Sequence, residues 1–187
     1  FTGVFASDMG IWAPDCATPS RLRRNLGRQD MKMLFNINAE FAHTLDQRPI
    51  ELRAKSALFS SMADAILVSG PITGQPADAS DLRKVAETVT EIPVFANTGV
   101  NLDNVRDVMS VASGCVIGTH FKIDGDTWNL VDGDRVKRFM DVTPYSDWAN
   151  ATPIILSRVT RPASSTSLKF SVPSGRCGIT RYRMSAV

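Results

Sequence analysis

Four short apolar runs divide the chain: KMLFNI (32–37), AILVS (65–69), PVFAN (93–97) and CVIG (115–118). Such continuous runs, without alternation, are what strands buried on both faces of a parallel sheet require. Between them the hydrophobic period changes from that of a strand to that of a helix. Leu82, Val85, Ala86 and Val89 fall at i, i+3, i+4 and i+7, and Asp78 or Ser80 is placed to cap that helix. Val105, Val108, Met109 and Ala112 repeat the stripe in a helix opened by Asn101. Val136, Phe139 and Met140 do so behind Asp132, which leaves Arg135, Lys137 and Arg138 in water. A helix over 50–62 is expected to bury Leu52, Ala57, Leu58 and Met62 and to expose Arg53 and Lys55, with Pro49 at its first turn. A short basic helix over 21–26 ends on Gly27. Strand centres recur at roughly 22–33 residues with a helix after each, the spacing of successive βα units.

The segment 1–6 reads as a strand or the end of one, with Asp8 where a parallel strand releases into a loop. After the first long run, Asn36, Asn38 and Glu40 alternate with Ile37, Ala39 and Phe41. If the extended conformation persists, period two puts the three polar groups on one side, the lumen side near the mouth if the sheet closes into a barrel. His43 follows in a loop. The fold class is therefore α/β, with four complete βα units that fit either an open doubly wound sheet or half of a (β/α)8 barrel. They occupy 1–145. The remainder, 146–187, has 12 Ser or Thr among 42 residues, three prolines and no sustained period, and reads as a disordered appendage.

Charge and cysteine content narrow the function classes. The net charge of +2 hides an acidic body and a basic tail, in which Arg158, Arg161, Lys169, Arg176, Arg181 and Arg183 face Asp147 alone. The body carries no basic face interleaved with aromatics, so nucleic acid is not an expected partner. Cys16, Cys115 and Cys177 are odd in number and widely spaced, which indicates neither a disulfide framework nor a metal site and fits a reducing, cytoplasmic compartment. No run of 18 apolar residues occurs, so no membrane span is expected. The chain opens on Phe1 without a methionine, and its natural N-terminus is expected to lie upstream, which leaves a mitochondrial address open.

The stretch 93–125 carries the clearest chemistry. Two strands joined by one helix each close on a glycine turn, Thr98-Gly99-Val100 and Gly118-Thr119. Backbone N–H groups beside a helix start suit a phosphate, so Gly99, Val100, Gly118 and Thr119 are the candidate phosphate ligands, with His120 a secondary contact. Asn36 and Asn38 are candidates to orient a substrate, and Ser69 and Thr73 offer hydroxyls at another strand end. Glu40, Asp8 and His43 are the candidate catalytic groups: a partly desolvated carboxylate has its pKa raised and can act as a base. No cofactor is expected. A divalent cation held by the two carboxylates and His43 is an option, although their spacing matches no dedicated metal motif.

The blocks FTGVFASDMGIW, FNINAEFAHTLDQRPIELRAKSA, ADAILVSGPITGQPADASDLRKV, VFANTGVNLDNV and VIGTHFKIDGDTWNLVDGDRVKRFMD resemble successive blocks of the BtpA/SgcQ family. The resemblance covers residues 1–142 and not the tail. It implies a TIM barrel of the ribulose-phosphate-binding type, with 93–125 supplying the seventh and eighth strands and three further strands, with most of a fourth, before Phe1. It favours the half-barrel over the open sheet and implies a barrel that binds a small phosphorylated metabolite, a sugar or nucleoside phosphate, with isomerase, lyase or hydrolase chemistry at the mouth. A homo-oligomer is among the assemblies it allows. The alternative it implies is a non-catalytic assembly or stability factor of the kind needed for photosystem I accumulation; a truncated, non-functional isoform is a third reading. Many relatives carry a Lys-His pair after the fifth strand, where this chain has Ala42-His43.

Overall fold

The computed structural model describes residues 1–143; the tail and the boundary placed at 145 lie outside the described residues. The elements run β1 (Phe5–Ser7), β2 (Gly10–Trp12), α1 (Ala17–Asn25), β3 (Leu34–Asn36), β4 (His43–Thr44), α2 (Ile50–Phe59), β5 (Ala65–Ser69), α3 (Ala79–Thr88), β6 (Val94–Asn97), α4 (Val105–Met109), β7 (Gly114–Val116) and α5 (Gly133–Val142). Two 3-10 turns, Thr119–Phe121 and Ile123–Gly125, lie between β7 and α5.

The four apolar runs become β3, β5, β6 and β7, hydrogen-bonded in that order and parallel throughout. The fold is thus mixed α/β with a four-stranded parallel sheet. Its registers give the two faces different jobs. Phe35, Ile66 and Val94 align on one face, followed by Val68, Ala96 and Cys115, and these join Ile50, Ala54, Leu82, Val85 and Phe139 of the helices in one buried core. The alternate positions, Asn36, Ser69 and Asn97, lie on the opposite face. Burial pushes the Cys115 thiol up to about 12, so it packs as a small inert hydrophobe.

Helix ends follow local chemistry. The Asp78 carboxylate accepts from the N–H groups of Ser80 and Asp81, and Asp132 from those of Asp134 and Arg135, so both caps sit where the sequence puts them. At the end of α1 the N–H of Arg28 bonds the Arg23 carbonyl and that of Gly27 the Arg24 carbonyl, with Gly27 at φ +64°. This is the left-handed stop expected of that glycine. The helix nonetheless starts a turn earlier than expected, because Asp15 caps Ala17 and Thr18 and Pro19 falls within the first turn, where no intrahelical N–H is needed.

Three expectations are corrected. The segment 1–6 does not enter the parallel sheet: β1 pairs antiparallel with β2 and with β4 in a small three-stranded sheet. Asp8 therefore lies in an exposed hairpin turn, not at a parallel strand end. The Thr2 N–H, just ahead of β1, donates to the Asn36 carbonyl on the β3 edge at 2.9 Å and ties the N-terminal segment to the main sheet. The alternation beyond β3 breaks at Ala39, where a bridge to Ala42 closes a tight turn on Glu40 and Phe41. In α2, Ile50, Ala54 and Ala57 face the core while Leu52 is exposed, and the helix ends at Phe59, so that Met62 lies beyond it and is exposed as well. Small alanines let the helix approach the sheet, and Arg53 lies half-buried along it, its guanidinium donating to the Ile37 carbonyl at 3.0 Å.

Candidate functional site

A cleft of about 200 Å³ opens at the carboxyl ends of the parallel strands, lined by Gly74, Gly99, Val100, Asn101, Gly118, Thr119, His120, Gly125 and Arg135. All four residues assigned to phosphate from the sequence meet there, and His120 with them. Among the described residues no hydrogen bond engages the N–H groups of Gly99, Val100, Gly118 or Thr119. The Val100 side chain is buried in the core, so only its backbone serves the cleft. Asn101 and Asn104 stiffen the wall: the Asn101 side chain accepts from the N–H groups of Asp103 and Asn104, and Asn104 answers by accepting from the Asn101 N–H and donating to the Gly99 carbonyl.

The two strand-end glycines differ in kind. Gly99 is at φ +62°, and a Cβ there would stand 2.1 Å from the Gln75 carbonyl carbon and the Pro76 nitrogen. Backbone packs on backbone at that point, which only glycine allows. At Gly118 a Cβ would meet nothing within 4 Å. Thr98, beside Gly99, is also left-handed at φ +68°, unusual for a β-branched residue. Its hydroxyl accepts from the Gly70 N–H at 2.8 Å and donates to the Gln75 carbonyl at 2.7 Å. These bonds hold the 70–76 loop against the 98–100 turn and sustain the strained backbone.

Arg135 is the residue the sequence reading missed. Taken as a solvated position of α5, it is half-buried, with Nε donating to the His120 carbonyl at 2.7 Å. Gly125, at φ +69°, lies beside it: a Cβ there would stand 3.4 Å from the guanidinium, in ordinary contact. No carboxylate among the described residues pairs with Arg135, so its charge faces the cleft uncompensated. A clue was present in the sequence: Arg135 is three residues past the Asp132 cap, on the helix turn nearest the loop after β7. Burial, and then the Arg135 charge, hold the His120 imidazole below its ordinary pKa, so it is neutral near pH 7. Its ring rests against Phe121 and Phe139, and its Nε2 is buried without a partner among the described residues. The Thr119 hydroxyl is 2.8 Å from that of Thr127.

A second group lies on the sheet face opposite the core. Asn38 accepts from the Ser69 N–H at 2.8 Å and donates to the Ser69 carbonyl at 2.7 Å, replacing a missing strand neighbour. Asn36 and Asn97 both donate to the Ser69 hydroxyl, at 2.5 and 2.7 Å. Asn36, Asn38 and Ser69 are thus brought together as expected of a strand-end cluster, with Asn97 as an unforeseen member. Thr73 is exposed in the loop, one residue before Gly74 of the cleft.

The candidate catalytic groups are arranged differently. Glu40 sits in the turn after β3, with Oε2 buried and without a hydrogen-bond partner among the described residues. His43 is exposed in β4, where it pairs with Ala6. That antiparallel pairing sets Asp8 and the Glu40 turn at the same end of the small sheet, yet no bond joins the two carboxylates. Among the described residues no three His, Cys, Asp or Glu side chains gather as metal ligands, so Asp8, Glu40 and His43 do not form such a group. No helix among the described residues is long and apolar enough to cross a membrane.

Comparison with known proteins places these features in a family. The sgc region protein SgcQ of Escherichia coli (strain K12) is 44% identical over 141 residues, 75% of this chain and 53% of the relative. The photosystem I biogenesis protein BtpA of Synechocystis sp. is 26% identical over 167 residues, 89% of this chain and 57% of the relative. A Caenorhabditis elegans protein whose name includes the word mitochondrial is 32% identical over 132 residues, 69% of this chain and 47% of the relative. The chain thus spans about half the length of the curated relatives it matches. No solved structure matches it. A sequence model described as the BtpA family matches residues 1–144, and the chain belongs to that family.

Proposed function

We propose that the glycine-lined cleft binds the phosphate group of a small phosphorylated metabolite, and that the four parallel βα units form part of a (β/α)8 barrel of the ribulose-phosphate-binding kind. The observation that carries this reading is Arg135: a half-buried guanidinium, aligned through Nε and without an acidic partner among the described residues, beside four unengaged backbone N–H groups. A guanidinium fork and converging N–H groups match phosphate oxygens in charge and geometry. In barrels of this class the loops after the last two strands are the usual phosphate seat. Reaction chemistry, of isomerase, lyase or hydrolase type, falls to Glu40, whose Oε2 is already desolvated and unpartnered, with His43 nearby in sequence. Asp8, in its exposed turn, contributes only if the mouth closes over it. A cytoplasmic or mitochondrial location belongs to the same reading, and the name of the worm relative supports the second.

The test is calorimetric titration of the 187-residue chain with inorganic phosphate, alongside the variant Arg135→Ala. Losing charge-assisted bonds weakens phosphate binding roughly 10- to 100-fold. Absence of binding at millimolar phosphate, or equal binding by the variant, refutes the assignment. A second reading, a non-catalytic assembly or stability factor, rests on the name of the Synechocystis relative and on Met9 and Ile11, 98% and 76% exposed on the hairpin. A melting temperature that responds to a protein partner and to no phosphorylated metabolite decides for it.

A further inference from the structure

Within the polar group on the sheet face opposite the core, the three asparagines are not equivalent. Asn38 has both poles of its amide committed, Oδ1 to the Ser69 N–H and Nδ2 to the Ser69 carbonyl. Asn36 is likewise committed: Oδ1 takes the Asn38 N–H and Nδ2 reaches Ser69 Oγ. Asn97 makes a single bond, Nδ2 to Ser69 Oγ, and its Oδ1 has no partner among the described residues. Whichever way that amide is turned, one pole stays open, because among the described residues Ser69 Oγ is the one group it hydrogen-bonds. Asn97 is half-exposed, whereas Asn36 and Ser69 are each 3% exposed. An open amide oxygen on a half-exposed side chain is free to take a hydrogen bond from a ligand.

Its position gives the open pole a partner. Ser69, Asn97 and Val116 align across the sheet, and Gly99 and Gly118 of the cleft lie two residues beyond Asn97 and Val116. Two residues span at most about 7 Å, whatever the turn of the backbone between them. A carbon skeleton of roughly three to five atoms covers that distance at bond lengths of about 1.5 Å.

We propose that Asn97, held in place by Ser69, reads a hydroxyl on the uncharged body of the ligand whose phosphate occupies the cleft, which makes that ligand a sugar or polyol phosphate. The inference rests on the phosphate assignment above and adds the class of molecule. The members of the cluster, Asn36, Asn38, Ser69 and Asn97, carry no charge. A ligand carboxylate or ammonium placed there would lose its hydration with no counter-charge, a heavy penalty. A hydroxyl loses little: it donates to the open amide oxygen and accepts from the Ser69 proton or the second Asn97 N–H.

The experiment compares three probes on the 187-residue chain by calorimetry: inorganic phosphate, glycerol 3-phosphate and 3-phosphoglycerate, whose body differs from the second by a carboxylate. Glycerol 3-phosphate is expected to bind about 10-fold more tightly than either of the others. Asn97→Ala removes that advantage and leaves the affinity for inorganic phosphate unchanged. If Asn97→Ala does not fold, Asn97→Ser keeps a hydroxyl toward Ser69 and serves the same comparison. Equal binding of phosphate and glycerol 3-phosphate by the unsubstituted chain overturns the inference and leaves the phosphate seat standing. So does a variant that weakens all three probes in equal proportion, which would mark Asn97 as scaffold. Failure of every probe to bind refutes the phosphate assignment and this inference with it.

Discussion

Gly99 and Gly118 look alike in the sequence, and Gly99→Ala against Gly118→Ala separates fold from ligand. At Gly99 two penalties combine. An alanine in the left-handed region costs about 1–2 kcal/mol relative to glycine. Its Cβ would also stand 2.1 Å from the Gln75 and Pro76 backbone, far inside the 3.4–4 Å of ordinary contact. Backbone cannot rotate aside as a side chain does, so the loop must shift, at the roughly 1–3 kcal/mol typical of overpacking. Together these amount to about 2–5 kcal/mol, a large part of the ~5–15 kcal/mol that holds a domain of ordinary stability together. At roughly 2–4 °C per kcal/mol for a chain of this size, Gly99→Ala lowers the melting temperature by about 5–20 °C. Gly118→Ala adds a methyl to open space at φ −117° and moves stability by no more than about 0.5 kcal/mol, while it narrows the cleft and weakens phosphate binding. Scanning fluorimetry reads the first effect and calorimetry the second. A Gly99→Ala chain that melts within about 1 °C of the parent would falsify the backbone-on-backbone account; a Gly118→Ala chain that binds phosphate normally counts against the cleft.

Two further perturbations follow from the same geometry. Thr98→Val keeps the shape and left-handed backbone of Thr98 but leaves the Gly70 N–H and Gln75 carbonyl without partners, a loss of about 1–3 kcal/mol. Hydrogen exchange should show the Gly70 amide losing protection before the core strands do, and unchanged exchange there contradicts the clamp. Acidification acts on His120, whose folded pKa is lowered by burial and then by Arg135, against an opposing effect of Asp103, with Arg138 adding the least. Below the unfolded value of 6.5 the unfolded chain binds the extra proton first, so the contribution of His120 to stability is complete above pH 6.5 and falls as pH drops beneath it. Melting temperatures at pH 7.5 and 5.5 should therefore differ less for His120→Gln than for the parent, and an equal difference refutes the assignment.

Much of this architecture is legible in the residues. Continuous apolar runs gave the four parallel strands because a strand covered on both faces leaves no room for polar alternation. Asp78, Asp132 and Gly27 marked helix ends because caps act within a few residues. The glycine turns that line the cleft were legible for the same reason, since turns at strand ends are local features. Apart from the early start of α1 and the Ala39–Ala42 turn, which are local, the misreadings involve partners distant in the chain. The β1–β2 hairpin looked like a parallel strand because three residues of FAS carry no record of which strand they pair with. Leu52 was expected inside because it is apolar, yet the sheet packs against the smaller Ala54 and Ala57.

By itself the sequence determined the α/β class, the order of βα units, the helix caps and membership of the BtpA family. Tertiary structure alone decided that Gly99 is demanded by the Gln75–Pro76 backbone while Gly118 is not, that Arg135 turns from solvent toward the cleft, and that Asn97 keeps one amide pole open beside Ser69. The reason is one of range. Periodicity, capping and turn chemistry act between residues that are neighbours along the chain, whereas these three facts depend on groups 10 or more residues apart whose meeting is set by the sheet.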